Sequence, residues 1–545
     1  MSYGLRFLRF IALFLMASLP CSAQFGGELR FCLHSDPKTF NPILVDDDAS
    51  DTIRYLTGGV LVRLNRSTQE LEPNLAVAWK VSKDGRAITF NLRRGIAFSD
   101  GTPFTADDVV FTIKQLMDPA LHSPTGDSFR TAPGEVAVKA LATDKVSITF
   151  PGPIAGLDKL FDQVAIMSAH SALNEKAVLG PFMVGEYIPG SHVILKRNPN
   201  YWKTDASGHR LPYLNSIRLD IQQNRDLEIM RFRRGEIHLV NALDSEYFDR
   251  LAAQSPEAVH DSGPSMDSEE MWFNQVAAAP IASYKREWFR STNFRRAISS
   301  AINRQDLVRI VFNNHATPAA GPVSPANQFW FNAKLHPHPF DRASALRLLE
   351  TDGFHLEPGI SRVLRDHAGH PVEFSIITNS GNKSRERMAT MIQQDLAGIG
   401  IKVSVVTLDF PALIERIAHT FDYDACLLGL VNTDLDPNSQ MNIWLSSSEN
   451  HQWNPNQKIP ETPWEAEIDK LMRAQASTMD SNKRKQAFDR VQEIVWENEP
   501  FIYLVHKNAL SAVSPMLAGV TPVVLRPQTF WQADTISLRV DRAAR

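Results

Sequence analysis

Residues 371–431 read PVEFSIITNSGNKSRERMATMIQQDLAGIGIKVSVVTLDFPALIERIAHTFDYDACLLGLV. Val372, Phe374 and Ile376 alternate as residues do along a strand. Met388, Ile392 and Leu396 then recur four apart, one face of a helix, and Gly398 or Gly400 supplies its end. IKVSVVTL (401–408) predicts a second strand, FPALIERIAHT (410–420) a short helix with Pro411 in its first turn, and FDYDACLLGLV (421–431) a third strand. Strand, helix, strand, helix, strand is the order of a parallel sheet with crossover helices. Ligands of such sheets bind beyond the carboxyl ends of the strands. Those ends are TNSGNKS from Thr378 and NTDLDPNSQ from Asn432, two polar loops expected to build part of a binding site.

Length and composition set the frame around this block. A chain of 545 residues is too long for one core and implies two or more lobes. A formal net charge of −4, with 22% charged residues, lacks the basic excess of a nucleic-acid binder. The first residues, MSYGLRFLRFIALFLMASLPCSAQF, place Arg6 and Arg9 before an apolar run from Phe10 to Ala17 and then small residues. That is the order of a cleaved secretory signal, with cleavage expected after Ala23 and export to the periplasm as the consequence. A lipid anchor at Cys21 is disfavoured by Pro20 beside it. Cleavage removes two arginines and no acid, taking the net charge from −4 to −6. Cys32 and Cys426 remain, far apart and flanked by apolar residues, and are expected to be buried thiols.

The stretch FSDGTPFTADDVVFTIKQLMDP (98–119) clusters carboxylates as an acid/base or metal site does. Asp100-Gly101 is a turn pair, however, and Thr105 stands three residues before Asp108, the spacing of a capping box. Asp107 and Asp108 then lie in the first turn of a helix, where the dipole favours acids. The helix presents Val109, Val110, Ile113 and Leu116 to a core and stops before Pro119. Further along, 180–202 reads as a hairpin turning at Pro189-Gly190, 291–312 as a helix pair with Asn303 capping the second, and 482–500 as an amphipathic helix. No GxSxG, HExxH, Walker loop or cysteine–histidine signature is present, so the chain is not expected to be an enzyme; the alternative is a secreted hydrolase working with two scattered carboxylates, which no motif reveals.

These landmarks resemble a known family. PNLAVAWKVSKDGRAITFNLRRGIAFSDGTPFTADDVVFTI (73–113) is similar to the signature region of the family 5 extracellular solute-binding proteins, receptors of bacterial ATP-binding-cassette importers for peptides and nickel. GGELRFCLHSDPKTFNP, FRRAISSAINRQDLVRIVF, FDRASALRLLETDGF, DPNSQMNIW and RVQEIVWENEPFIYL continue the likeness in order over nearly the whole mature chain. The resemblance implies an α/β, two-lobed periplasmic-binding-protein-like fold (type II, cluster C) with a ligand cleft between lobes. Lobe I is expected to take residues 24–45, 181–268 and 499–545, with an extra subdomain over 46–180, and lobe II residues 269–498. It also implies capture of a peptide or similar small solute by a monomer without a cofactor, and delivery to the permease and ATPase of an importer.

For the ligand, dipeptide receptors of the family hold the ammonium with an aspartate four residues before the proline of a DP element. Here Thr433 stands at that position, with Asp434 one residue later and Asp436 before Pro437. Asp434 is expected either to take the ammonium in a shifted register or, with Asp436, to stabilise the turn. The family's carboxylate-binding arginine falls near Asn379, the nearest bases being Lys383 and Arg385. Asn379, Asn382, Asn432, Thr433, Asp434 and Asp436 are therefore the candidate ligand residues, with Trp444 and Trp453 as candidate walls of the cleft. The amides, with Asn438 and Gln440, also suit an oligosaccharide. For nickel or haem, His336, His338 and His451 show no ligand spacing, and the first two are expected to be exposed loop residues.

Overall fold

The computed structural model describes residues 25–130, 134–173, 176–357, 362–431 and 434–539; the leader expected from the sequence lies outside them. One mixed sheet of eleven strands runs through the molecule. Its main strands, in chain order, are β1 (Glu28–Leu33), β2 (Phe182–Ile188), β3 (His192–Arg197), β4 (Ser216–Ile221), β5 (Leu239–Val240), β6 (Val259–Phe273), β7 (Glu373–Asn379), β8 (Lys402–Leu408), β9 (Ala425–Leu430) and β10 (Phe501–Val513). They lie in the order β8-β7-β9-β6-β10-β5-β1-β4-β3-β2, and a short strand, Ala316–Pro318, pairs with β10 off this path.

At the lobe I end, β1 pairs in parallel with β4 and faces two cores. Phe31 joins Ile217, Leu219 and Phe530 on one side, while Cys32 joins Ile237, Phe248 and Leu251 on the other. Burial pushes the Cys32 thiol up to about 12, as expected of an inert apolar cysteine. A separate core, whose buried members span residues 43–179 and against which Trp202 packs, belongs to a four-stranded antiparallel sheet and the helix α1 (Ala106–Met117). The capping box is present: Thr105 caps α1, and the buried Asp108 carboxylate accepts N–H bonds from Thr105 (2.7 Å) and Ala169 (2.8 Å). The opening carboxylates are helix-start chemistry. The helix α2 (Ser245–Ala252) packs Phe248 and Leu251 under lobe I.

In lobe II, β7 pairs in parallel with both β8 and β9, as the 371–431 block requires. Such strands are covered on both faces, and alternate residues serve different cores. Phe374, Ile376, Ala425 and Leu427 point to one core, shared with the helix α3 (Lys383–Ala397). Ile377, Cys426 and Leu428 point to the other, under α4 (Pro463–Ser477) and α5 (Ser481–Asn498).

The two lobes share β6 and β10. These antiparallel partners run from Val259↔Ala512, at the lobe I core, to Met271↔Ile502 in the lobe II core. Their register slips between Asp261 and Pro264, again before Ser268, and again between Glu269 and Glu270. Bulges bend a strand and interrupt its ladder, so the crossing is the compliant part of an otherwise continuous sheet. No described helix is long and apolar enough to cross a membrane.

Asp108→Ala orphans two backbone donors and is expected to lower the stability of this subdomain by about 2 kcal/mol. Asp107→Ala, at an exposed position of the same turn, is expected to cost no more than about 0.5 kcal/mol. Urea denaturation of the two variants reads the difference.

Candidate functional site

Between the lobes, the loop after β7 and the start of α2 line one cavity. A cavity of about 730 Å³ is lined there by Asn379, Ser380, Asn382 and Ser384 on one wall and by Asp244, Ser245, Glu246 and Tyr247 on the other. It adjoins a cavity of about 140 Å³ over the crossing strands, lined by Glu269, Lys507, His315 and Arg526. A third, about 400 Å³, lies between Leu33 and Phe530 of lobe I and meets the second at Ala242, Arg526 and Gln528. The three form one groove along the lobe boundary, at the carboxyl end of β7, as a parallel sheet dictates.

Local chemistry fixes the lobe II wall. Asn379 is the last residue of β7, and Asn382 caps α3 by accepting the Arg385 N–H at 3.1 Å. Arg385 reaches back from the first turn of α3, donating to Asn379 Oδ1 at 2.9 Å and to Glu269 at 2.7 Å. Lys507, from β10, meets the other Glu269 oxygen at 2.9 Å. Burial alone raises the Glu269 carboxyl, but Lys507 and Arg385 outweigh it and hold it below the usual glutamate value. A side chain on Gly429 of β9 would meet Arg385 Nη2 at 2.5 Å and the Ser268 carbonyl at 2.8 Å, so only glycine leaves room for the triad. Glu270, one residue on, is fully buried, and burial pushes its carboxyl well up toward the neutral acid.

The expected residues divide. Asn379 and Asn382 line the groove. Asn432 and Thr433 lie outside the described residues. Asp434 lines a separate cavity of about 60 Å³ with Arg66, Lys159 and Asp162; its carboxylate accepts the Asp436 N–H at 3.0 Å, and burial raises its pKa. Asp436 is buried and gripped by both Arg484 nitrogens, at 2.6 and 2.9 Å. Beside it Asn438 donates to the Ala155 carbonyl at 3.0 Å, and a side chain on Gly156 (φ +69°) would come within 2.9 Å of Asp436. The DP turn is where the 43–179 core docks on lobe II.

Two expectations are corrected. Trp444 and Trp453 are 1% and 0% exposed and wall no cleft; they fill the core under α4 and α5, both edge-on to Phe501. Their N–H groups are spent on Gln440 and Glu465. His338, expected in an exposed loop, is buried against the Trp496 ring and pairs with Glu499 at 2.8 Å. His336 is exposed, and no group of three or more potential metal ligands occurs among the described residues. Glu269, Lys507, Arg526 and Asp244 carry no local signal in the sequence, beyond two adjacent acids, Glu269 and Glu270, inside a strand that is otherwise apolar at its end.

The family of bacterial extracellular solute-binding proteins, family 5 (middle region), matches residues 70–452. A probable ABC transporter-binding protein of Deinococcus radiodurans is 26% identical over 92% of this chain and 90% of its own. The substrate-binding protein CtaP of Listeria monocytogenes superposes with a TM-score of 0.79 at 22% identity, over 95% of this chain and 100% of that one. The oligopeptide-binding protein AppA of Bacillus subtilis, solved with a nonapeptide, gives 0.71 at 22% identity, over 95% and 100%.

Arg484→Met leaves the buried Asp436 carboxylate only the Lys159 ammonium, 3.8 Å away, and is expected to cost about 3 kcal/mol in thermal or urea unfolding. The Glu465 carboxyl is disfavoured by burial, but bonds from His451, Gln457, Thr462 and Trp453 hold its pKa down to about 2. Its contribution, about 3 kcal/mol, is complete above the unfolded value of 4.5 and is lost as pH falls through about 2. Glu465→Gln is expected to remove that part of the acid dependence in unfolding measured between pH 7 and acid.

Proposed function

Because the chain belongs to the bacterial extracellular solute-binding proteins of family 5, we propose that it is an exported receptor that captures peptides between its lobes. It hands them to the permease and ATPase of an importer. The observation that carries this reading is the groove, with amides and hydroxyls of Asn379, Ser380, Asn382, Ser384 and Ser245 along its walls. Such groups donate and accept hydrogen bonds and suit a peptide backbone whatever its side chains. Oligopeptide binding by a relative of the same fold agrees with it.

Capture involves no bond-making. Closure about β6 and β10 follows when the closed arrangement binds solute more tightly than the open one. The ligand's charged ends have partners on opposite walls. Asp244 and Glu246 on the lobe I wall, and Lys383 and Arg387 on the lobe II wall, have no ion-pair partner among the described residues. Arg385 is committed to Glu269 and Asn379, and Asp436 to Arg484. A peptide lying across the groove sets its ammonium against the acids and its carboxylate against the bases, charge-assisted at both ends.

Calorimetry with a peptide pool, and mass spectrometry of ligand carried from the cell, test the reading. Peptides are expected to bind and, at a hundredfold excess over Kd, to stabilise the protein by about 2.7 kcal/mol. Asp244→Asn is expected to weaken a free-amine peptide roughly tenfold and its N-acetylated form hardly at all. Protein that ignores peptides and binds a nickel chelate or an oligosaccharide contradicts the proposal.

A further inference from the structure

One histidine ties the lobes together beside the groove. His315 follows a turn in which Asn313 (φ +50°) and Asn314 (φ +69°) are both left-handed, a conformation asparagine tolerates better than most residues. The turn is anchored to lobe II, where Val311, Phe312 and Ala316 enter the core, and it presents the imidazole toward lobe I. There Nδ1 lies 2.8 Å from Asp261 of β6, and Nε2 lies 3.0 Å from Asp249 of α2. Asn313 donates to the other Asp249 oxygen at 2.8 Å, and the Phe248 ring packs edge-on at 4.6 Å. His315 also lines the cavity above Glu269 and Lys507.

We propose that His315 is a pH-dependent tie between the lobes, closing the hinge when its imidazole is protonated and loosening it when neutral. This rests on the receptor reading and adds the regulation of the same groove. The reasoning is one of proton count. A neutral imidazole has one N–H, so only the imidazolium donates to both carboxylates. The groups facing the ring agree in sign. α2 offers Asp249, β6 offers Asp261, and β10 offers the neutral Asn508, which donates to both Asp261 oxygens at 3.0 and 2.9 Å. The neighbouring cation, Lys507, turns its ammonium to Glu269. Half-burial lowers the His315 pKa, but the bonds to Asp261 and Asp249 outweigh it and raise the pKa above 6.5.

The sign follows. The double tie is complete below 6.5 and is lost as pH rises through the folded value. Of the two bonds, that to Asp261 is shorter and joins the more buried carboxylate, so the last proton stays on Nδ1. Deprotonation therefore gives up the imidazole's bond to Asp249 and leaves Asn313 alone to hold that carboxylate across the lobes.

The test uses the full chain without ligand, so that it stands apart from whether peptides bind. NMR titration of the His315 ring and small-angle scattering are recorded from pH 5.5 to 9. His315 is expected to titrate above 6.5, and the radius of gyration to grow across the same interval. His315→Gln is expected to make the radius independent of pH. Asp249→Asn is expected to lower the His315 pKa and abolish the growth while leaving unfolding cooperative. A His315 pKa at or below 6.5, or a wild-type radius unchanged across its titration, overturns the proposal. Peptide failing to bind while both titrations behave as stated would refute the receptor's ligand and leave the tie intact.

Discussion

Two strands crossing from one hydrophobic core to another are the constraint on which the rest depends. β6 and β10 must satisfy lobe I at one end and lobe II at the other, and they are continuous through both. A regular ladder would make the sheet one rigid plate. Three register slips between Asp261 and Glu270 concentrate the irregularity where the lobes part. The groove lies over that segment, so movement at the slips opens and closes it without disturbing either core.

The crossing also explains the electrostatics of the groove floor. Glu269 and Glu270 flank the last register slip of β6, and each meets different neighbours. Glu269 meets Arg385 and Lys507, from α3 and β10, and stays charged. Glu270 lies among Tyr503, Leu428 and their neighbours, where burial favours the neutral acid. The partners that folding brings to each therefore push two identical, adjacent carboxyls in opposite directions, Glu269 down and Glu270 up. The charged one joins the hinge strands to the loop that carries Asn379, coupling the groove wall to the crossing.

Local patterns were legible in the sequence and long-range partnerships were not. The capping box at Thr105–Asp108, the hairpin turning at Gly190 and the three parallel strands after residue 371 depend on neighbours a few residues apart, and each could be read directly. Asn379 and Asn382 followed from the rule that parallel strands end at the site. Glu269 finds Arg385 116 residues on, and Asp436 finds Arg484 48 residues on. No spacing in the chain announces either pairing. The tryptophans show the complementary failure. Trp444 and Trp453 flank a polar segment and look suited to a cleft wall, yet that polar segment folds back on Glu465 and Asp469 and carries the rings into the core. His338 was misread for the same reason, its partners Trp496 and Glu499 being far along the chain.

The central claim is that two separately packed lobes close on a solute held at the end of β7. Spin labels on cysteines placed at Gln254, just after α2, and Thr390 of α3, both exposed and outside the groove lining, measure it directly; Cys32 and Cys426 are buried and leave the labelling to those sites. The distance between the labels, read by pulsed dipolar spectroscopy, is expected to be broad in the free protein and to contract to one short population with peptide bound. A distance unchanged by saturating, calorimetrically bound peptide contradicts the account.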